Sequence, residues 1–266
     1  MTQLANSNVV ITGAASGIGL LLARRVVERG GRPILLDVDQ DALDAAVGQL
    51  RTAVSHRCDV TDRSAVFEVR DRVLEECGPV DVLVNNAGVV SGAALVDLEE
   101  ASIRRTFEVN AIAPFWLTQA FLPGMLERDR GHVVTIASAS GLVGVVRLSD
   151  YASSKWAAVG FDESLRMELR AAGSAVRTTV VCPYYIDTGM FAGVRTRYPW
   201  LLPILRPEPV VDKIVRAIES DRPRLVLPPA VRAIALGRLL PVRAFDWIVD
   251  HLGIGHSMDH FTGRSR

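Results

Sequence analysis

Asn8-Val9-Val10-Ile11-Thr12-Gly13-Ala14-Ala15-Ser16-Gly17-Ile18-Gly19 is a short β-branched apolar run that passes directly into a glycine-rich turn. Residues 20–29 continue with a helical pattern closed by Gly30-Gly31, and residues 33–37 form a second apolar run. Strand, turn, helix and strand within about 30 residues have the spacing of a βαβ unit, in which a crossover helix joins two parallel strands.

The alternation continues outward. Further strands are predicted at 54–59, 80–85, 132–137, 177–182 and 224–227, and helices at 40–50, 63–77, 99–126, 151–171 and 209–220. The pattern predicts an α/β chain of one domain over residues 1–266, a doubly wound seven-stranded parallel sheet with helices on both faces. Residues 189–222 are expected to form a lid, and 228–266 an apolar and basic tail.

Composition narrows the function. The 30 basic and 30 acidic side chains balance to a net charge of zero, which argues against a nucleic-acid binder. Hydrophobic residues make up 49 % and no Pro/Gly/Ser tract is long enough for a linker, so most of the chain can enter a core. Residues 2–23 carry no charge, yet Asn6, Ser7, Asn8, Thr12 and Ser16 make neither a signal peptide nor a membrane span of them. Cys58, Cys77 and Cys182 lack Cys-x-x-Cys spacing, so no disulfide framework or metal site is expected, and a cytoplasmic compartment is.

The charge balance hides an asymmetry. The basic residues are 28 arginines and two lysines, Lys155 and Lys213, so a lysine here needs a reason that arginine would not meet. Residues 222–243 hold five arginines and no acid, and an apolar helix candidate follows at 244–252. This tail is expected to close an apolar pocket or pack on a second subunit, with peripheral contact to a membrane surface as the alternative.

The glycine turn also has a chemical use. Its backbone can approach a pyrophosphate closely, and the free N–H groups and dipole of a helix start favour the negative charge. Asp37 ends the second strand, where its carboxylate can accept hydrogen bonds from ribose hydroxyls and would repel a 2′-phosphate. The turn contains no arginine or lysine to hold such a phosphate, so NAD is expected over NADP.

The spacing Thr12-Gly13-x-x-x-Gly17-x-Gly19 resembles the classical short-chain dehydrogenase/reductases, Rossmann-fold enzymes, and further motifs match in order over residues 8–192. The resemblance implies cofactor contacts from Gly13, Ser16, Gly17, Ile18 and Gly19. It places Asp59 and Val60 at the adenine, with Asn86, Ala87 and Gly88 bordering the cofactor and bracing the sheet. Pro183, Ile186 and Thr188 fall near the carboxamide. In Tyr151-Ala152-Ser153-Ser154-Lys155 the i, i+4 spacing puts phenol and ammonium on one helix face, with Ser138 upstream. Tyr151 is then the acid/base for an alcohol, and Ser138 holds the substrate oxygen. Lys155 lowers the Tyr151 pKa and grips the nicotinamide ribose. Asn110 matches the position that holds a relay water. The chain departs from the family at Tyr184, where glycine usually follows the proline, and Tyr185 is read as lining the substrate side.

Asp150 through Lys155, Val159-Gly160-Phe161 and Asp187-Thr188-Gly189-Met190-Phe191 resemble the retinol and 17β-hydroxysteroid dehydrogenase subgroup. Those relatives usually carry an N-terminal membrane anchor, which is not expected here. A small lipophilic alcohol or carbonyl is the expected substrate and a homodimer or homotetramer the expected assembly. A ketone or aldehyde reductase, or a cofactor-binding regulator without catalysis, are the alternatives.

Overall fold

The computed structural model describes residues 1–263. Seven strands form one parallel sheet: β1 (Asn8–Thr12), β2 (Arg32–Asp37), β3 (Val54–Arg57), β4 (Val82–Asn85), β5 (His132–Ile136), β6 (Arg177–Pro183) and β7 (Arg224–Leu227). Their order is β3-β2-β1-β4-β5-β6-β7. The chain therefore winds outward from β1 to β3, then returns to the other side of β1 at β4. At this reversal the loops leaving β1 and β4 diverge and open a crevice at the carboxyl ends of the strands.

Both faces of the sheet are covered, so its central strands are apolar throughout rather than alternating. In β1, Val9 and Ile11 point to one layer and Val10 to the other, all fully buried. The first layer holds α1 (Gly17–Glu28), α2 (Gln40–Gln49) and α7 (Pro207–Glu219); the second holds α3 (Arg63–Cys77), α5 (Ala113–Glu127) and α6 (Ser149–Ala171). Asp39 and Asp62 start α2 and α3 by accepting backbone N–H bonds from Ala42 and from Ser64 and Ala65. Each fully buried Val, Leu or Ile adds about 1.5–3 kcal/mol.

Three expectations change. Helix α1 begins at Gly17 rather than Leu20, so two glycines of the turn belong to its first turn. The long helix expected over 99–126 is α4 (Glu100–Phe107) and α5, separated by a π turn at Glu108–Ile112. Pro114 has no N–H to donate back into that turn, and the Asn110 side chain is held by a neighbouring loop. The lid expected over 189–222 is shorter, because Val210, Val211, Ile214 and Ile218 recur at helical spacing and bury α7 against α1. Residues 187–206 are the irregular stretch that lies over the cleft. Beyond β7, α8 (Ala230–Leu236) and α9 (Val242–His251) complete the tail, α9 close to the predicted 244–252. Among the described residues no helix is long and apolar enough to cross a membrane.

Two buried ionisable groups load the sheet with opposite pH dependence. His132, fully buried in β5, lies 2.9 Å from the Thr2 hydroxyl and 2.8 Å from that of Thr179, and burial pushes its pKa down to about 4. Asp162, fully buried on α6, has one carboxyl oxygen without a partner, and burial pushes it up to about 7. The unfolded chain protonates His132 first, so its contribution is present above pH ~6.5 and is lost as pH falls toward the folded value. Asp162 works the other way: its contribution is present below pH ~4 and is lost as pH rises toward the folded value. In urea titrations His132→Gln should gain stability relative to the parent as pH falls below 6.5. Asp162→Asn should gain as pH rises from 4 to 7, the first by about 3 kcal/mol and the second by about 4 kcal/mol. Parallel pH profiles for parent and variants would contradict this.

Candidate active site

The crevice holds a cavity of about 290 Å³. Its cofactor-like end starts at the glycine turn. Gly13 and Gly17 sit at φ +61° and +55°, a left-handed backbone that disfavours side chains. A Cβ on Gly13 would lie 2.9 Å from the Ala87 Cα, and one on Gly19 only 2.3 Å from the Gly13 carbonyl. Gly19 is thus a close-packing glycine and does not line the cavity; Gly13, Ser16, Gly17 and Ile18 do.

Thr12 ties this turn to the loop after β4. Its hydroxyl accepts from the backbone N–H groups of Asn86 and Ala87, both at 3.0 Å, while Asn86 Nδ2 donates to the carbonyls of Thr12 and Gly13. Asn86 therefore braces the two strand ends, and Asn86, Ala87 and Gly88 face the cavity. Asp37 lines it at the end of β2, where its carboxylate accepts from the N–H groups of Ala15 at 3.0 Å and Val38 at 2.8 Å. Asp59 and Val60 stand just past the end of β3, which stops at Arg57. Burial opposes ionisation of Asp59, but two hydrogen bonds from Thr61 and the Arg105 guanidinium 3.7 Å away outweigh it and hold its pKa low.

The reactive end lies between β5 and α6. Ser138 leaves β5 and opens a tight turn over Ala139–Gly141, its hydroxyl accepting from the Ser140 N–H. A Cβ on Gly141 would meet the Lys155 carbonyl at 2.5 Å, so glycine lets this turn press against α6. Tyr151 and Lys155 follow on the first turns of that helix, each 4 % exposed. The Ser138 hydroxyl lies near enough to the Tyr151 phenol to favour its ionised form. Lys155 Nζ donates to the Ile136 carbonyl at 2.9 Å and lies 5.7 Å from the Tyr151 ring centre.

Burial raises the Tyr151 phenol above its ordinary value, with the nearby Ser138 hydroxyl opposing only in part. It lowers Lys155 to about 8, which still leaves mostly ammonium at neutral pH. The expectation that Lys155 lowers Tyr151 is therefore not met by the protein alone. The ammonium is turned to a backbone carbonyl, and the low-dielectric surroundings disfavour both charged forms.

Asn110 does not line the cavity. Its amide is engaged with both backbone groups of Val89 at 2.9 Å and with Ser154 Oγ at 3.0 Å, so it fixes the loop after Gly88 from beneath. Asp150, which motif reading passed over, accepts from Ser91 at 2.9 and 2.7 Å and from Thr106 at 3.0 Å. It anchors the helix start that carries Tyr151. Sequence distances of 59 and 44 residues hid these bonds.

The far end of the cavity is apolar. Pro183, Ile186 and Thr188 enter its wall beside Tyr184 and Tyr185. Tyr184, at the expected glycine position, has no left-handed backbone, and its ring lies tilted against that of Tyr185 with ring centres 4.6 Å apart. Tyr185 Oη meets Ser257 Oγ at 2.9 Å, and its ring packs on Phe191, which also touches Tyr151. Val143, Leu202, Val231, Ile234 and Ile254 close this end. The last three come from the tail, which therefore contributes to the wall of the cavity.

One cavity thus joins a glycine cradle and two carboxylates to a buried Ser-Tyr-Lys group and an apolar chamber. Gly88 stands between the two ends, where a Cβ would lie 3.3 Å from Asn110 Oδ1 and 3.5 Å from Lys155 Nζ. These residues fit a nicotinamide dinucleotide.

The relatives agree. A model of the short chain dehydrogenase family matches residues 7–199. Epidermal retinol dehydrogenase 2 of Mus musculus is 41 % identical over 99 % of this chain and 88 % of its own length. Retinol dehydrogenase 10-B of Danio rerio is 37 % identical over 97 % and 85 %. A short-chain dehydrogenase/reductase from Burkholderia phymatum, solved in complex with NAD, superposes with a TM-score of 0.82 at 29 % identity, covering 90 % of this chain and 95 % of that one. An actinorhodin polyketide ketoreductase variant with NADPH gives 0.77 at 32 % identity, over 85 % and 97 %. The chain belongs to the short-chain dehydrogenase family, and within it resembles the retinol dehydrogenases. It is a nicotinamide-dependent oxidoreductase acting on CH–OH groups.

Proposed function

We propose that the protein oxidises a lipophilic primary or secondary alcohol, of retinoid, steroid or medium-chain type, with NAD. The observation that carries this reading is the single cavity that sets buried Ser138, Tyr151 and Lys155 between Asp37 and an apolar chamber.

When bound, oxidised nicotinamide supplies the hydride acceptor and a positive charge near Tyr151. The chain's own groups handle the proton and the fit. Ser138 Oγ holds the substrate oxygen, and Tyr151 Oη takes the hydroxyl proton as the alcohol becomes a carbonyl. The Lys155 ammonium holds the ribose and favours the phenolate in a site closed to water. Asn110 positions the loop beneath Gly88. Reduction of a ketone or aldehyde uses the same groups in reverse, and Asp37 favours the oxidising direction by favouring NAD.

Two measurements test this. In a fluorescence titration NADH should bind more tightly than NADPH, and Asp37→Ser should narrow the gap; tighter NADPH binding by the parent would overturn the cofactor assignment. Along a series of linear secondary alcohols, kcat/KM should rise about fourfold per methylene, corresponding to ~0.8 kcal/mol each, until the chamber fills. A flat series would remove the lipophilic substrate.

We further assign subunit pairing to the α5 and α6 faces. Phe115, Trp156 and Met167 are exposed there, a surface suited to a second copy.

A further inference from the structure

The outer side of the tail carries a surface that the cleft does not use. Helix α8 turns Val231 and Ile234 into the cavity wall, and α9 packs Phe245, Val249 and Leu252 on the same cluster. The opposite faces leave Leu236, Leu239, Val242 and Trp247 at 66, 88, 73 and 67 % exposure. Trp247 stacks on His251 with ring centres 5.2 Å apart, and Tyr198 links His251 to Trp200, itself 80 % exposed. The ring contacts join Trp247 to Trp200, and with the exposed Leu236, Leu239 and Val242 these residues give the tail an apolar outer surface of a kind that soluble proteins seldom leave bare without a partner.

A cationic groove adjoins this surface. It runs between α7 and the edge strand β7, and Lys213, Arg216, Arg222 and Arg232 line it without a carboxylate among the lining residues. Arg232 and Leu236 stand at i, i+4 on α8, so one helix face joins the groove to the apolar surface. Among the described residues, these four cations and Arg243 have no carboxylate within ion-pair distance. Asp246 and Asp250 on α9 are the opposing charges; residues 222–251 set five arginines against these two aspartates.

We infer that this face docks on an anionic membrane surface. Trp247, Leu239, Val242 and Leu236 enter the boundary between headgroups and acyl chains, while the groove cations and Arg243 bind lipid phosphates. A second copy fits less well, because two-fold pairing through this face would bring like-charged grooves together. Docking also sets the α8 wall of the apolar chamber beside the bilayer. The surface assignment does not depend on the substrate reading.

Co-sedimentation tests it. The protein should pellet with vesicles of phosphatidylcholine containing about 30 % phosphatidylglycerol at low salt, but not with phosphatidylcholine alone, and high salt should release it. The pairs Leu239→Glu/Trp247→Glu and Arg232→Glu/Arg243→Glu should each weaken binding at least about tenfold at an unchanged Tm. No binding to anionic vesicles, or binding untouched by both pairs, would overturn the proposal. A fall in the light-scattering mass of Leu239→Glu/Trp247→Glu would do the same, assigning the face to a second copy.

Discussion

Replacing Tyr151 with phenylalanine is expected to lower kcat by about 10²–10⁴-fold while leaving dinucleotide affinity within about twofold. The ring stays packed against Phe191, so the wall of the cavity keeps its shape. What is lost is the hydroxyl beside Ser138, the group to which the proposal assigns the proton of the alcohol. Because burial raises the phenol in the protein alone, the variant separates two accounts. If Tyr151 moves the proton, kcat falls and KM changes little. If it merely shapes the pocket, phenylalanine is a near-neutral replacement. Stability should change by no more than about 1 kcal/mol, the worth of one hydrogen bond, so misfolding does not confuse the readout.

Lys155→Met should lower kcat/KM by at least about 10²-fold and weaken dinucleotide binding as well, because in the proposed mechanism the same ammonium serves phenol and ribose. Methionine matches the length of the stem and removes a buried charge whose desolvation the protein now bears, so the variant should fold at least as well as the parent. Lys155→Arg is the sharper companion. In a chain with 28 arginines the substitution is chemically ordinary, yet a planar guanidinium on a longer side chain does not reproduce the compact ammonium that donates to the Ile136 carbonyl at 2.9 Å. Its activity should be as low as that of Lys155→Met. Near-normal turnover of Lys155→Arg in a steady-state assay would show that position 155 needs only a positive charge.

Most of the frame was legible because its signals are local. The glycine turn, the β-branched runs and the crossover spacing each lie within about 30 residues, and they locate β1, α1 and β2 to within a few positions. That Gly13, Asp37, Tyr151 and Lys155 line one cavity was legible for the same reason, since they belong to short motifs at strand and helix ends. The substrate end was not. Val231, Ile234 and Ile254 come from the tail after the last strand, and nothing in their sequence neighbourhood says that they face the chamber. Asp150 was missed because its partners come from two other segments. The helix over 99–126 was misread as continuous because hydrophobic periodicity does not register a π turn, although Pro114 was a local sign of the break. The expected lid extended too far because an amphipathic stretch such as α7 reads the same whether it covers a cleft or a sheet.

The most direct test of the account is to follow NADH formation by the purified chain with retinoids, steroids and medium-chain secondary alcohols, each also offered with NADP. The account predicts turnover of one lipophilic group with NAD, faster than with NADP and abolished in Tyr151→Phe. Contradiction would be no reduction of either dinucleotide by any alcohol in the panel, or turnover that survives intact in Tyr151→Phe.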